Sequence, residues 1–343
     1  MSVHIQLPPS ETAQPRAPTP AIPPSQGVAL MAADMRQVDA VIQRRLASDV
    51  VMIDQIAHYI ISAGGKRIRP MLVLLFSSAL GFKGPERFEL AATVEFIHTA
   101  TLLHDDVVDE SALRRGRQTA NALFGNAASV LVGDFVYSRA FQMMVSVNRM
   151  RVLEILADAT NVIAEGEVLQ LMNMHDPDIS VDDYLRVIRF KTAKLFEASA
   201  RLGAVLSEAS PEVEASCASY GRSLGTSFQL VDDLLDYEGA TTELGKNVGD
   251  DLREGKPTLP LLLAMERGTP AERDLVRHAI EHGEVARLPE IVEIVRRTGA
   301  IRATRDAARA EADKAAQCLD VLPASLHREA LLELCVRSVE RFS

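Results

Sequence analysis

Aspartate clusters are costly inside apolar helices, and this chain carries the same cluster twice. Asp105-Asp106-Val107-Val108-Asp109 follows Thr101-Leu102-Leu103, and Asp232-Asp233-Leu234-Leu235-Asp236 follows Phe228-Gln229-Leu230-Val231. On a helix, residues i and i+4 share a face, so the outer aspartates of each string point the same way. Asp106 and Asp233 turn ~100° aside, which predicts weaker, supporting roles for them. Carboxylates crowded beside Leu and Val repel one another and lose hydration unless cations neutralise them. One such string could be a solvated acidic turn. Two of them, both in apolar surroundings, require a fold that brings the acidic ends to a shared, cation-filled site. Oxygen-only ligands favour a hard cation such as Mg²⁺, which completes its shell with water and substrate phosphates. The pattern predicts a clamp on a phosphorylated substrate through several Mg²⁺ ions.

From Val28 onward the sequence reads as helix after helix. Apolar residues recur at three- and four-residue spacing, and β-branched alternation is scarce. The spans 88–109, 127–147, 151–174, 181–206 and 212–237 are apolar around much of their circumference, as central helices of a bundle are. Ser180 and Ser210 are placed to cap two of them. Breaks fall at Ala63-Gly64-Gly65, Gly81 to Pro85, Asp176-Pro177-Asp178, Gly239 to Pro257 and Leu322-Pro323. Residues 1–27 hold Pro8, Pro9, Pro15, Pro18, Pro20, Pro23 and Pro24, too dense for a helix. We therefore expect a disordered Pro-rich tail over 1–27 and one all-α domain of about a dozen helices over 28–343. Both Asp strings lie near the C-terminal ends of central helices, so the bundle should hold its active-site cavity there.

The net charge of -10 argues against a nucleic-acid partner. No apolar run reaches the ~18 residues of a membrane span, and no basic-then-apolar leader opens the chain, so a cytoplasmic protein is expected. Cys217, Cys318 and Cys335 have no metal-ligand spacing and read as buried hydrophobes. Four basic segments complement the carboxylates: Lys66-Arg67-Ile68-Arg69 after two glycines, Arg114-Arg115, Lys191-Thr192-Ala193-Lys194, and Lys246 to Lys256.

These segments carry a resemblance. The stretch EFIHTATLLHDDVVDESALRRGRQTAN (95–121), with GGKRIRP (64–70), KTAKLFEASA (191–200), FQLVDDLLDYEG (228–239) and GKNVGDDLREGKPTLPLL (245–262), resembles the motifs of trans-prenyl diphosphate synthases in their family order. Residues 124–144 and 161–173 bring it nearest to the bacterial octaprenyl, ubiquinone side-chain, subfamily. The resemblance implies the isoprenoid-synthase helical bundle, a homodimer, and two diphosphate sites served by three Mg²⁺. Lys66, Arg69, His98 and Arg115 would hold isopentenyl diphosphate. Asp105, Asp109, Asp232 and Asp236 would hold Mg²⁺ on the allylic diphosphate. Arg114, Lys191, Lys246 and Lys256 would contact that diphosphate, with Thr192 and Gln229 beside the reacting carbon.

The implied chemistry is ionisation of the allylic diphosphate, attack by the isopentenyl double bond and proton loss to a trans product that re-enters the cycle. Ala100 and Thr101, one turn before Asp105, are small, which leaves room for a long product. Phe141, Met143 or Met144 would form the floor that limits chain length. A terpene cyclase is one alternative, but it has no need of the Lys66, Arg69 and Arg115 set. A non-catalytic partner subunit is another, but such subunits can lose motif carboxylates, and both strings are intact here. Product release implies at most a transient membrane contact.

Overall fold

The computed structural model describes residues 26–340, apart from Ala63, Arg115 and 239–248. The expectations for the Pro-rich tail up to residue 25, for Arg115 and for Lys246 therefore fall outside the described residues, and Gln26 and Gly27, expected in the tail, begin the first helix. Sixteen α-helices are found among the described residues, more than the dozen expected. The first seven are α1 (Gln26–Leu46), α2 (Val51–Ser62), α3 (Ile68–Ala79), α4 (Glu86–Val108), α5 (Ala120–Phe124), α6 (Asn126–Ser146) and α7 (Met150–Asn173). Next come α8 (Val181–Ile188), α9 (Lys194–Leu206), α10 (Pro211–Glu238), α11 (Asp250–Arg253) and α12 (Leu259–Arg267). The last are α13 (Pro270–His282), α14 (Leu288–Arg297), α15 (Ala300–Gln317) and α16 (Leu326–Val339). Several of the sixteen are short, α5, α11 and α12 among them, and α11 falls inside the Gly239 to Pro257 stretch that the sequence reads as a break. A two-residue antiparallel ribbon, β1 (Leu113–Arg114) with β2 (Arg117–Gln118), follows α4.

Local chemistry sets several boundaries. The Ser180 hydroxyl accepts from the Asp183 amide at 3.1 Å and starts α8. Ser210 does the same for Val213 at 3.4 Å, ahead of α10. Thr269 and Glu272 form a reciprocal capping box on α13, with Pro270 in the first turn.

Two apolar cores form the interior. The larger gathers α1 to α4, α6, α7 and α9, and the smaller gathers α8 and α12 to α14. Helix α10 spans both. Its Cys217, Tyr220 and Leu224 are buried in the first core, and Leu230, Val231, Leu234 and Tyr237 in the second. Helix α15 packs along α10 and runs the other way, with Ile301 and Ala308 in the small core and Ala312 and Ala315 in the large one. The second Asp string sits on the half of α10 that enters the small core. The three cysteines are unpaired, and Cys217 and Cys335 are buried.

The sequence predicts one unbroken helix over 181–206, and the structure differs. Arg189–Ala193 forms a π turn between α8 and α9. It carries Lys191 and Thr192, and π turns recur at functional sites. Two glycines clamp it. A Cβ on Gly166 of α7 would lie 2.6 Å from the Lys191 amide nitrogen, and one on Gly225 of α10 would lie 2.7 Å from Ala193 Cα. Those backbones touch because neither glycine has a side chain. Gly166→Ala should push the π turn off α7 and cost ~1–3 kcal/mol of stability, the usual range for overpacking. A urea titration that leaves the midpoint of unfolding unchanged would refute this tight contact.

Candidate active site

The two Asp strings meet. Asp105 and Asp109 from the end of α4 and Asp232 and Asp233 from α10 line one cavity of about 190 Å³. Lys191 and Thr192 of the π turn, Gln229, Arg114, Asp251 and Lys256 complete its polar wall. Leu102, Ile179, Val187 and Ile188 supply apolar lining.

Both outer aspartates of the first string are matched by an ammonium. Lys191 Nζ stands 3.9 Å from Asp105 and 2.7 Å from Glu167 of α7. Lys256 Nζ stands 3.3 Å from Asp109 and also pairs with Glu254. Burial raises the Asp105 carboxyl above its ordinary pKa, against the pull of Lys191, and Asp109 adds repulsion. Burial also raises Glu167, again opposed by Lys191. Burial works against the Lys256 ammonium, but Asp251, Asp109 and Glu254 outweigh it and hold its pKa above the ordinary lysine value. The site thus carries more carboxylates than resident cations, in an all-oxygen donor set. That is the composition a hard divalent cation fits.

Asp106 turns away from the cavity, fully buried, and binds Arg114. Arg114 Nε lies 2.8 Å and Nη2 2.7 Å from Asp106 Oδ1. Arg114 is thereby held at the cavity wall, and Asn121 ties down the Asp106 carbonyl at 3.0 Å. Asp236, grouped by the sequence with the metal ligands, is not among the residues lining the cavity. It is buried, and its carboxylate accepts from the Asp251 amide at 3.2 Å. The last carboxylate of the second string therefore anchors the turn that carries Asp251.

A chain of hydrogen bonds runs from the cavity into the small core. The Thr192 hydroxyl donates to Gln229 Oε1 at 2.9 Å, and Gln229 Nε2 donates to Asp233 Oδ1 at 2.7 Å. The Tyr184 hydroxyl closes the chain on Asp233 Oδ2 at 2.5 Å. Burial, with Asp251 nearby, pushes Asp233 up to about 7, even though Tyr184 and Gln229 both favour its charged form. The hydroxyl of Thr192 directs its proton toward Gln229, which leaves its oxygen at the cavity wall as an acceptor.

The remaining expected residues lie beyond this cavity's lining. Lys66 Nζ is 5.6 Å from the Phe228 ring, and the Arg69 guanidinium is 4.4 Å from the Phe196 ring. Both therefore lie against α9 and α10, with Phe228 next to Gln229. Arg67 caps α3 in the left-handed region, at φ 49°, and pairs with Glu95 of α4 at 2.7 Å. His98 is half-buried on α4, one turn before the cavity residue Leu102. Ala100, Met143 and Met144 are buried in the large core, while Thr101 and Phe141 are half-buried.

Glu167, Tyr184 and Asp251 are site residues that sequence reasoning missed. Asp251 lies inside a motif quoted for its lysines, where the Asp250-Asp251 pair was the available signal. Tyr184 and Glu167 left no local signal, because their roles come from packing. Tyr184→Phe should leave a buried carboxylate oxygen unsatisfied and destabilise the fold by ~1–3 kcal/mol. Chemical denaturation measures that loss. A variant as stable as wild type would show that the hydrogen bond contributes nothing.

Comparison with known proteins agrees with this geometry. Residues 50–295 match the model of the polyprenyl synthetase family. The octaprenyl diphosphate synthase of Escherichia coli K12 is 56% identical over 313 residues, covering 91% of this chain and 97% of that protein. The geranyl-diphosphate-specific all-trans-nonaprenyl-diphosphate synthase of Rhodobacter capsulatus is 42% identical, covering 92% and 97%. A crystal structure of a polyprenyl synthase from Caulobacter crescentus CB15, complexed with calcium and isoprenyl diphosphate, superposes with a TM-score of 0.89. It is 49% identical and covers 93% of this chain and 98% of that one. An all-α bundle whose two aspartate strings converge on one cavity, matched over most of its length, belongs to the polyprenyl synthetase family of prenyltransferases.

Proposed function

We propose that this chain is a long-chain all-trans-polyprenyl diphosphate synthase. In this reading it condenses isopentenyl diphosphate head-to-tail onto an allylic diphosphate, farnesyl diphosphate as starter, to an octaprenyl-type product for quinone side chains. The observation that carries it is the meeting of Asp105 and Asp109 with Asp232 across one cavity, between Lys191 and Lys256. The 56% identity to an octaprenyl diphosphate synthase supports the product class.

Asp105, Asp109 and Asp232 would hold Mg²⁺, three ions in all, with Asp236 contributing through the Asp251 turn. Bound Mg²⁺ neutralises the diphosphate oxygens and favours their departure. Arg114, Lys191, Lys246 and Lys256 bind the same group and stabilise the charge that develops as the allylic C–O bond breaks. The bonding pair leaves with the diphosphate. Thr192 and Gln229 offer oxygen lone pairs to the allylic cation, and the apolar wall excludes water. Lys66, Arg69, His98 and Arg115 hold isopentenyl diphosphate so that its double bond attacks the cation carbon. A proton is then lost to the released diphosphate, the new trans double bond forms, and the product is again allylic.

The lengthening chain would run past Ala100 and Thr101 toward Phe141, Met143 and Met144. Helices α6 and α7 expose Leu131, Val145, Val168, Leu171 and Met172, each more than half accessible, which supports a homodimer through that face. No helix among the described residues is long and apolar enough to cross a membrane, consistent with a cytoplasmic enzyme that touches membranes only to release product.

Incubation with labelled isopentenyl diphosphate, farnesyl diphosphate and Mg²⁺, followed by mass analysis, should give an octaprenyl diphosphate. A cyclic product formed from farnesyl diphosphate alone would instead identify a terpene cyclase. Ala100→Tyr should shorten the product, and unchanged product length on chromatography would refute the proposed chain path.

A further inference from the structure

The last turns of α13 gather metal-ligating side chains that the condensation reaction does not use. His278, Glu281 and His282 are exposed, and ligand atoms from all three lie within 4.8 Å of one another. The spacing His-x-x-Glu-His puts both imidazoles on one helix face. Their ring centroids are 4.2 Å apart with planes tilted by 35°.

The neighbours preset this group for a ligand role. His282 Nδ1 lies 2.9 Å from the His278 carbonyl oxygen. Donation to that carbonyl fixes the tautomer and leaves Nε2 with a lone pair directed outward, the arrangement that metal-bound histidines adopt. His278 Nε2 stands 3.3 Å from the Glu284 carboxylate, which holds that imidazole on its far side. Among the described residues, Arg277 is the cation in contact with Glu281, at 3.1 Å, and its other nitrogens are held by Asp178. Its charge is therefore largely matched elsewhere.

The backbone under these residues is well anchored. Val276, Ala279 and Ile280 are buried in the small core. The Ile280 carbonyl lies 3.1 Å from His175 Nδ1, and the His175 amide donates to the Gly255 carbonyl at 2.8 Å. The helix end that carries the ligands thus leans on the turn preceding Lys256. Ligands on a packed helix need little reorganisation to close around an ion.

Imidazole nitrogen favours Zn²⁺, Cu²⁺ or Ni²⁺ over Mg²⁺, which prefers oxygen. We propose that His278, His282 and Glu281 form a surface site for a borderline divalent transition metal, typified by Zn²⁺. This site is separate from the carboxylate cavity, whose lining includes none of these residues.

Calorimetric titration of the full chain with ZnCl₂, in buffer saturated with MgCl₂, tests the site. Wild type should bind one equivalent of Zn²⁺ that the His278→Ala/His282→Ala double variant binds at least ~10-fold more weakly. Zn²⁺ should also raise the melting temperature of wild type and not that of the variant. Because the side chains are exposed and outside the cavity, the variant should keep its Mg²⁺-dependent activity and its melting temperature without Zn²⁺. The milder His282→Gln serves in its place if the double variant misfolds. Equal Zn²⁺ affinity in variant and wild type, or no Zn²⁺ uptake by wild type, would overturn the proposal.

Discussion

Like charges cannot be buried together without something to hold them, and the architecture depends on that constraint. Asp105, Asp109, Asp232, Asp233, Asp251, Glu167 and Glu254 crowd the end of a bundle whose interior is otherwise apolar. The fold meets part of the repulsion internally. Lys191 bridges Glu167 and Asp105, and Lys256 reaches Asp109 from the turn before α12. Both lysines arrive on backbone segments defined by close packing, one on a π turn and one after a positive-φ glycine, Gly255. Asp232, Asp233 and Asp251 line the same cavity. In the proposed function, that concentration of carboxylates gathers divalent cations and, through them, diphosphate.

The same economy separates roles within each aspartate string. In the first, Asp105 and Asp109 face the cavity while Asp106 is sealed beneath it with Arg114. In the second, Asp232 faces the cavity, Asp233 joins Gln229 and Tyr184 below it, and Asp236 holds the Asp251 turn. Three identical side chains in five residues therefore do three different jobs. Rotation by ~100° per residue sets Asp233 apart from Asp232, while Asp236 shares the face of Asp232 one turn further on, where the Asp251 amide meets it. Because α10 runs through both cores, the chain Thr192–Gln229–Asp233–Tyr184 ties the cavity to the small core directly.

Much of this was legible in the sequence. The long central helices came from three- and four-residue apolar spacing, and their ends agree with the structure within two residues or so, as at α4, α6, α7 and α10. The Ser180 and Ser210 caps were readable because a hydroxyl before a helix has one obvious partner. The convergence of the two Asp strings followed from electrostatic cost alone. The π turn was not readable. Arg189 to Ala193 is ordinary helical composition, and its close fit against Gly166 and Gly225 comes from two helices distant in sequence. Glu167 and Tyr184 were invisible for the same reason: each acts only through a residue distant in sequence. The family resemblance groups Asp236 with the metal ligands, and the structure adds a contact that the sequence did not suggest, between its carboxylate and the Asp251 amide.

The π turn has a further consequence for how this chain can vary. A π turn holds one more residue than an α-helical turn. Deleting a single residue there would restore a regular helix and swing everything upstream by ~100° relative to α9. Tyr184 would lose Asp233, and Lys191 would lose Glu167, in one step. A change of length in this stretch would thus disturb several contacts at once, where a substitution disturbs one. The count of residues between Tyr184 and Phe196 keeps Tyr184 on Asp233 while Lys191 meets Glu167 and Asp105.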